Sequence, residues 1–411
     1  MIKLIRTSIL IAIVFLFASN SAHGRLVDLR PDENGDRIAV HDDGEVSYLP
    51  AKRVDLGKMA TGGGICRYIR RAPSGDLYIM GSGLKAVLRS TDGGHHWSSE
   101  SVDIDEIGFI SAFAILRDGT FVVALTRGPG MKVARSTDQG KTWAVADVGV
   151  DLTPHKQISG WNSDMLELGD GTILLTAELR GSPDCVHDAS GGQLPLELRG
   201  VFPYVVRSSD GGRTWGDKSI MGMHGAETHM LALPSGKLLA CIRKQRWHRL
   251  PGDPPDPMTM KLQYGFEPQF PSEEGKDPHN EGTNRMKNMF VTESTDQGRT
   301  WVNEQRVSGF LQCSGDLTLT RDGVLLLGFH HRYADDVAGD GVRMMISYDE
   351  GRTWGKETYI IGQGTKEFDT AVSYPSSIAT EDGGLITVCA NHVGGKFARL
   401  EAVHWRPRGR P

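Results

Sequence analysis

The chain has 411 residues, 39% of them hydrophobic and 24% charged, with a net charge of −5 and 51 glycines. This is an ordinary globular composition with many tight turns, and its mild negative charge gives no support to nucleic-acid binding, which leaves a basic footprint. Length alone allows two or three domains, whereas a repeat architecture absorbs it as one.

Residues 1–24 read as an export signal. Lys3 and Arg6 supply positive charge, an unbroken apolar run extends from Ile9 to Ala18, and small residues follow in Ser21-Ala22-His23-Gly24. The run is too short to span a bilayer, so cleavage near Gly24 is expected. The mature chain, 25–411, is then periplasmic or secreted and keeps no stable membrane anchor. No cysteine lies near the cleavage region, so there is no lipoprotein signal.

Beyond the leader, six segments share one pattern: apolar run, turn with glycine, apolar run. They are centred on Gly75, Gly119, Gly171, Gly236, Gly323 and Gly383, and each predicts a β-hairpin. The fourth is the clearest. Met230, Leu231 and Leu233 lead into Pro234-Ser235-Gly236, and Leu238, Leu239, Cys241 and Ile242 lead out. Antiparallel pairing brings the open ends of that hairpin, Glu227 and Arg243, side by side.

A second motif follows five of the hairpins: S-T-D-G-G-H-H-W from Ser90, S-T-D-Q-G-K-T-W from Ser136, S-S-D-G-G-R-T-W from Ser208, S-T-D-Q-G-R-T-W from Ser294 and S-Y-D-E-G-R-T-W from Ser347. Asp92, Asp138, Asp210, Asp296 and Asp349 are expected to accept backbone N–H bonds within their own turns, with the following glycine at positive φ. Each tryptophan then packs between neighbouring sheets. These aspartates are structural staples, not catalysts or metal ligands.

Two hairpins per repeat make a four-stranded antiparallel sheet, and six such sheets predict an all-β, six-bladed β-propeller in a single domain. The last blade lacks the second motif, so a strand within 37–48 is expected to close the ring. A seven-bladed ring with 36–51 seeding an extra blade is the alternative. The two long insertions, 181–203 and 244–288, fall between the second and third strands of their blades and wall the face opposite the glycine turns. The five cysteines, Cys66, Cys185, Cys241, Cys313 and Cys389, read as small buried hydrophobes; their odd number does not suit a disulfide framework. No Cys/His spacing resembles a zinc site, and no metal or other cofactor is implied.

The six turn glycines supply a common register. Nine residues before them stand Cys66, Ile110, Asn162, Glu227, Ser314 and Tyr374; seven after stand Ser82, Thr126, Glu178, Arg243, His330 and Ala390. Arg343 occupies the matching place on a third strand. One ring on blades three to six therefore holds Glu178, Glu227, Arg243, His330, Arg343 and Tyr374. Asp164, Arg180, His229, Arg246, His331, Arg332, Asn391 and His392 are neighbours able to reach the same space.

With these repeats the chain resembles the sialidase (neuraminidase) superfamily, six-bladed propellers built on Asp-box (BNR) repeats. The resemblance implies a tyrosine nucleophile activated by a glutamate, three arginines that grip a substrate carboxylate, and an aspartate acid/base. Glu227 opens an E-x-x-x-x-x-L-x-x-G-x-L-L strand pair and fits the glutamate. Arg243 and Arg343 fit two arginines, and Tyr374, in Y-P-S-S-I, fits the nucleophile. Two features depart from the pattern. The first blade carries C-R-Y-I-R-R, with Arg67 one step off the rim register, and the connection Met80-Gly81-Ser82-Gly83-Leu84-Lys85 holds no carboxylate. His330, in a His330-His331-Arg332-Tyr333 cluster foreign to the family, is the candidate to replace the missing proton donor. The expected activity is an exo-glycosidase cleaving a terminal, acidic sugar from a glycan, with Glu227, Tyr374 and His330 catalytic and Arg243, Arg343, Arg67, Glu178, Asp164, His229 and Arg332 binding substrate. A non-catalytic glycan-binding propeller, or a glycosidase or lyase of other sugar specificity, is the alternative.

Overall fold

A computed structural model describes residues 26–31, 37–41, 46–49, 52–56, 67–81, 86–101, 109–127, 130–150, 157–160, 162–180, 192, 201–222, 225–245, 287–308, 312–331, 341–355, 358–363, 370–393 and 396–407. Every regular element among them is a strand. Strands β1 (Leu26–Pro31), β2 (Arg37–His41) and β3 (Val46–Leu49) form an antiparallel meander, and β4 (Lys52–Asp55) follows. Blade one comprises β5 (Arg67–Arg71), β6 (Leu77–Gly81), β7 (Ala86–Ser90) and β8 (Ser98–Ser101). Blade two comprises β9 (Phe109–Ile115), β10 (Phe121–Arg127), β11 (Gly130–Ser136) and β12 (Ala144–Asp147). In blade three the first strand is broken into β13 (Gln157–Ser159) and β14 (Met165–Glu167), both paired to β15 (Ile173–Arg180), with β16 (Val201–Ser208) and β17 (Gly216–Ile220) outside.

Blade four comprises β18 (Gly225–Ala232), β19 (Leu238–Gln245), β20 (Lys287–Ser294) and β21 (Val302–Arg306). Blade five comprises β22 (Gln312–Leu319), β23 (Leu325–His331), β24 (Gly341–Ser347) and β25 (Thr358–Gln363). Blade six comprises β26 (Thr370–Ala379), β27 (Leu385–Val393) and β28 (Lys396–Trp405). The first strands β5, β9, β14, β18, β22 and β26 touch one another in a closed cycle. The molecule is thus a six-bladed antiparallel propeller with these strands around its axis. All six hairpin glycines take positive φ, between 82° and 92°, a backbone that side-chain-bearing residues adopt only under strain.

Ring closure corrects the sequence reading in one respect. The strand that completes blade six is β4, paired antiparallel to β28 with Val54 opposite Ala402 and Asp55 opposite Glu401. Leu56, 2% exposed, and Val54 carry the apolar side of this short stretch into the core shared by blades six and one. Residues 37–41 and 46–49 instead widen blade five, where β3 runs parallel to β25 through Tyr48 opposite Tyr359. They seed no seventh blade. Residues 1–24 and the bulk of both long insertions lie outside the described residues, as do Cys66 and Cys185. Cys241, Cys313 and Cys389 are buried in strands.

Apolar side chains fill the spaces between blades. Leu175, Ala177 and Tyr204 of blade three pack with Val122, Ala124 and Val133 of blade two, and Leu239 and Val291 of blade four pack with Leu325 and Leu327 of blade five. The repeated turns staple the outer hairpins. In each of the five, the serine Oγ donates to the aspartate Oδ1 at 2.7–2.9 Å. Four threonines donate to Oδ2 at 2.6 Å, at Asp138, Asp210, Asp296 and Asp349. In the first copy His96 Nδ1 takes that place on Asp92 at 2.5 Å. The tryptophans Trp97, Trp143, Trp215 and Trp301 donate Nε1–H to the carbonyl of the turn glycine three residues earlier, at 2.9–3.2 Å.

Those bonds hold Asp138, Asp210 and Asp296 well below the ordinary carboxylate range, the threonine hydroxyl being the largest cause in each. A carboxyl depressed in the folded state contributes stability above its unfolded pKa of about 3.9 and loses it as pH falls toward the folded value. Thermal midpoints measured between pH 7 and pH 2 should therefore hold through pH 5 and fall below pH 4. Replacing Thr142, Thr214 and Thr300 together by valine should lower the plateau and flatten that acid decline. A second expectation concerns Gly315, where an added Cβ would stand 2.4 Å from Met289 Cε and 2.7 Å from Cys241 Sγ. Gly315→Ala should cost about 1–3 kcal/mol in denaturant unfolding, as overpacking does.

Candidate functional site

Among the described residues, the register shifts of the inner strands fall toward one end, that in blade two between Ala124 and Leu125 included. Register shifts between Ala226 and Thr228, between Cys313 and Asp316, and between Ser373 and Ser376 expel one or two residues from each ladder. The expelled residues include Glu227, Ser314 and Tyr374, whose φ angles are +50°, +59° and +53°. Asn162, in the gap between β13 and β14, has φ +53°. These are four of the six positions nine residues before a turn glycine. A non-glycine residue in this region costs on the order of 1–3 kcal/mol, and such strain clusters where a bulge re-aims a side chain for function.

Glu227 is 3% exposed, and both its carboxylate oxygens are engaged. Arg243 Nη2, across the hairpin on β19, lies 3.2 Å from Oε1, and Ser314 Oγ of blade five donates to Oε2 at 3.0 Å. The Glu227 N–H in turn donates to Glu178 Oε1 of blade three at 3.2 Å. Glu178 is 2% exposed. Two carboxylates, an arginine and a hydroxyl from three successive blades thus meet at one rim. Across it, on blades five and six, the His330 and Tyr374 rings stand 6.3 Å apart at 46°. Tyr374 shares a buried apolar cluster with Tyr68 of blade one and Ile110 of blade two. Arg343 is buried on β24, opposite Phe329, the residue before His330.

Of the residues that sequence register assigned to substrate, Arg243 and Glu178 join Glu227 directly. Asp164 and His229 meet each other one layer deeper. His229 Nε2 lies 3.4 Å from Asp164 Oδ2 and 3.2 Å from Asp316 Oδ1. Arg70 reaches from blade one to Asp164 Oδ1 at 2.7 Å. Burial pushes the Asp316 carboxyl up, against the pull of His229. Arg67 begins β5 opposite Gly81, and its side chain lies outside the described residues, as do Arg332, Arg246 and the side chains of Arg180, Asn391 and His392. His331 Nδ1 is 3.3 Å from Gln312 Nε2. Sequence reasoning did not assign Arg70, Ser314, Asp316 or Ser376 to the site. Asp316 stands seven residues before Gly323 just as His229 and Asp164 precede Gly236 and Gly171, so a second register line through the hairpins contained the signal.

No known family profile matches the sequence, and no curated protein sequence does. Solved structures share its fold. A protein of unknown function from Dyadobacter fermentans superposes with a TM-score of 0.58 at 14% identity, over 87% of this chain and 99% of that one. An α-L-arabinanase from Penicillium chrysogenum, in complex with arabinobiose, gives 0.56 at 12%, over 87% and 99%. A Hadza microbial sialidase gives 0.54 at 16%, over 91% and 74%. The propeller is therefore one that glycosidases of different sugar specificity also use.

Arg243→Ala would remove the guanidinium that stands 3.2 Å from the buried Glu227 carboxylate. Breaking a buried pair in this way costs about 3–5 kcal/mol, so urea unfolding at pH 7 should shift by that order. The double change Arg243→Ala with Glu227→Gln should recover part of the loss.

Proposed function

We propose that this protein is an exported glycoside hydrolase that removes a terminal, acidic sugar from a glycan at the axial rim. The observation that carries the reading is the buried Glu227 carboxylate, bonded to Arg243 and Ser314 and joined through its own backbone to Glu178, at the strained end of the inner strands. Buried carboxylates in such a concentration are the groups that glycoside cleavage requires. The fold shared with a sialidase and an arabinanase supports the same class of chemistry by analogy. The export reading rests on the pattern of residues 1–24 alone.

In this reading Tyr374 Oη attacks the anomeric carbon while the bond to the leaving oxygen breaks. Glu227 takes the phenolic proton, because a phenol of pKa about 10 is a weak nucleophile unaided. His330, beside the Tyr374 ring, gives a proton to the leaving oxygen, and water later releases the sugar and restores the phenol. Arg343 supplies a planar fork for a substrate carboxylate. Arg243 spends Nη2 on Glu227, which favours a second reading in which the sugar is neutral, as in the arabinanase.

A panel of aryl sialosides, uronides and arabinofuranosides distinguishes the two readings. Turnover of a sialoside or uronide alone supports the first, and turnover of the arabinofuranoside alone supports the second. Tyr374→Phe should abolish release. Glu227→Gln and His330→Ala should each lower kcat by about 10²–10⁴-fold, the range of general acid–base catalysis. An activated aryl leaving group, which needs little protonation, should restore part of the His330→Ala rate. Glycan binding that survives Glu227→Gln, with no turnover across the panel, would overturn the hydrolase reading in favour of a binding propeller.

A further inference from the structure

Below the rim lies a second polar layer to which the chemistry above gives no role. Seven residues before the six turn glycines stand Tyr68, Ala112, Asp164, His229, Asp316 and Ser376. Four of these sit two residues after the four left-handed positions: Asn162 precedes Asp164, Glu227 precedes His229, Ser314 precedes Asp316, and Tyr374 precedes Ser376. In blade two the rim residue, Ile110, is not left-handed and the deeper residue is Ala112.

The four deeper residues form one connected set. His229 Nε2 faces Asp164 and Asp316 at 3.4 and 3.2 Å. Asp164 accepts the Met230 N–H at Oδ2 (2.9 Å) and an Arg70 N–H at Oδ1 (2.7 Å). Its own N–H donates to Thr176 Oγ1 at 2.7 Å. Ser376 Oγ accepts the Ile69 N–H at 3.2 Å and lies 3.5 Å from Arg70 Nη1. Thr318 Oγ1 donates to Asp316 Oδ2 at 3.2 Å. The Leu317 N–H donates to His229 Nδ1 at 3.2 Å. A backbone N–H can only donate, so Nδ1 is an acceptor and the imidazole proton sits on Nε2, between the two carboxylates.

The geometry points to His229 as the positioning residue that holds Glu227 in its left-handed bulge and fixes blades three, four and five relative to one another at the rim. Its ring accepts the Leu317 N–H of blade five and sets Nε2 within 3.4 Å of a carboxylate on each flanking blade, and the Met230 N–H bonds Asp164 on blade three. The strand leaving Glu227 is therefore pinned within three residues of it, and the bulges at Asn162 and Ser314 are pinned to the same point through Asp164 and Asp316. Among the described residues, the charged and titratable groups facing His229 are Asp164, Asp316 and, through Asp164, Arg70; the Cys241 thiol lies close enough to Asp316 and Asp164 to feel both carboxylates. Any catalytic consequence rests on the glycosidase reading, whereas the structural one does not.

Three measurements test the assignment. In the full-length wild-type protein, nitrogen-15 NMR of the histidines at pH 7.5 should show His229 as the Nε2–H tautomer; the Nδ1–H tautomer would overturn it. His229→Gln should show Glu227 out of the left-handed region or displaced from Arg243 in a crystal structure; an unchanged Glu227 would overturn it. With the substrate that wild type turns over, His229→Gln should lower kcat per folded molecule at least tenfold with KM within about twofold. An unchanged kcat, or a loss carried wholly by KM, would count against positioning. Asp316→Asn, which keeps the shape of one partner, should reproduce the kcat effect in smaller measure and serves if His229→Gln does not fold. Absence of turnover by wild type on every glycoside defeats the hydrolase reading while the tautomer and the crystal structure still decide the role of His229.

Discussion

Six inner strands converge on one axis, and every polar group that faces it must find its partner among the other strands. A buried polar group without a hydrogen bond costs more than the bond itself contributes. On blades one, three, four, five and six this constraint is met by side chains that reach across blade boundaries: Arg70 to Asp164, His229 toward Asp164 and Asp316, and Ser376 to the Ile69 N–H. Apolar packing fills the wedges between sheets, and it would tolerate small rotations of one blade against the next. The axial bonds are directional, so they fix the angles that packing leaves soft. The rim above inherits that precision.

The fold was legible because its signals are local and repeated. Six glycine turns and five copies of an eight-residue motif each declare a hairpin without reference to the rest of the chain. What the sequence reading misplaced was the closing strand. Residues 37–48 alternate as a strand should, and they do form β2 and β3, but edge pairing depends on which partner a strand meets and not on its own pattern. The shorter stretch around Val54 and Leu56 carries the apolar face that fits blade six. Long strand signals outweighed a better match of four residues.

The site was legible to the depth of one register line. Counting from the turn glycines brought Glu227, Arg243 and Glu178 together, and the structure places Arg243 and Glu178 each 3.2 Å from Glu227. The count also assumed an unbroken ladder. Bulges at Glu227, Ser314 and Tyr374 change the local facing of the chain, and no composition rule marks a left-handed glutamate or tyrosine. Arg70 was missed for a related reason. The resemblance directed attention to Arg67, whose side chain lies outside the described residues, whereas the Arg70 guanidinium, three residues on, reaches Asp164 of blade three.

The two layers divide the work in a way that relates strain to chemistry. A left-handed residue persists only when its surroundings over-determine it, and the four strained residues on this rim each sit two positions above a member of the axial network. The rim and the network are therefore one device: the lower layer supplies the bonds that hold a backbone shape the upper layer needs. Glu227 shows why that shape is useful. Left in a regular ladder, residue 227 would pair across to β19 and its side chain would follow the ordinary alternation. Bulged out, it receives Arg243 from its own blade and Ser314 from the next while its N–H reaches Glu178 on the one before. One expelled residue thereby gathers groups from three blades, which an unbroken strand could not do.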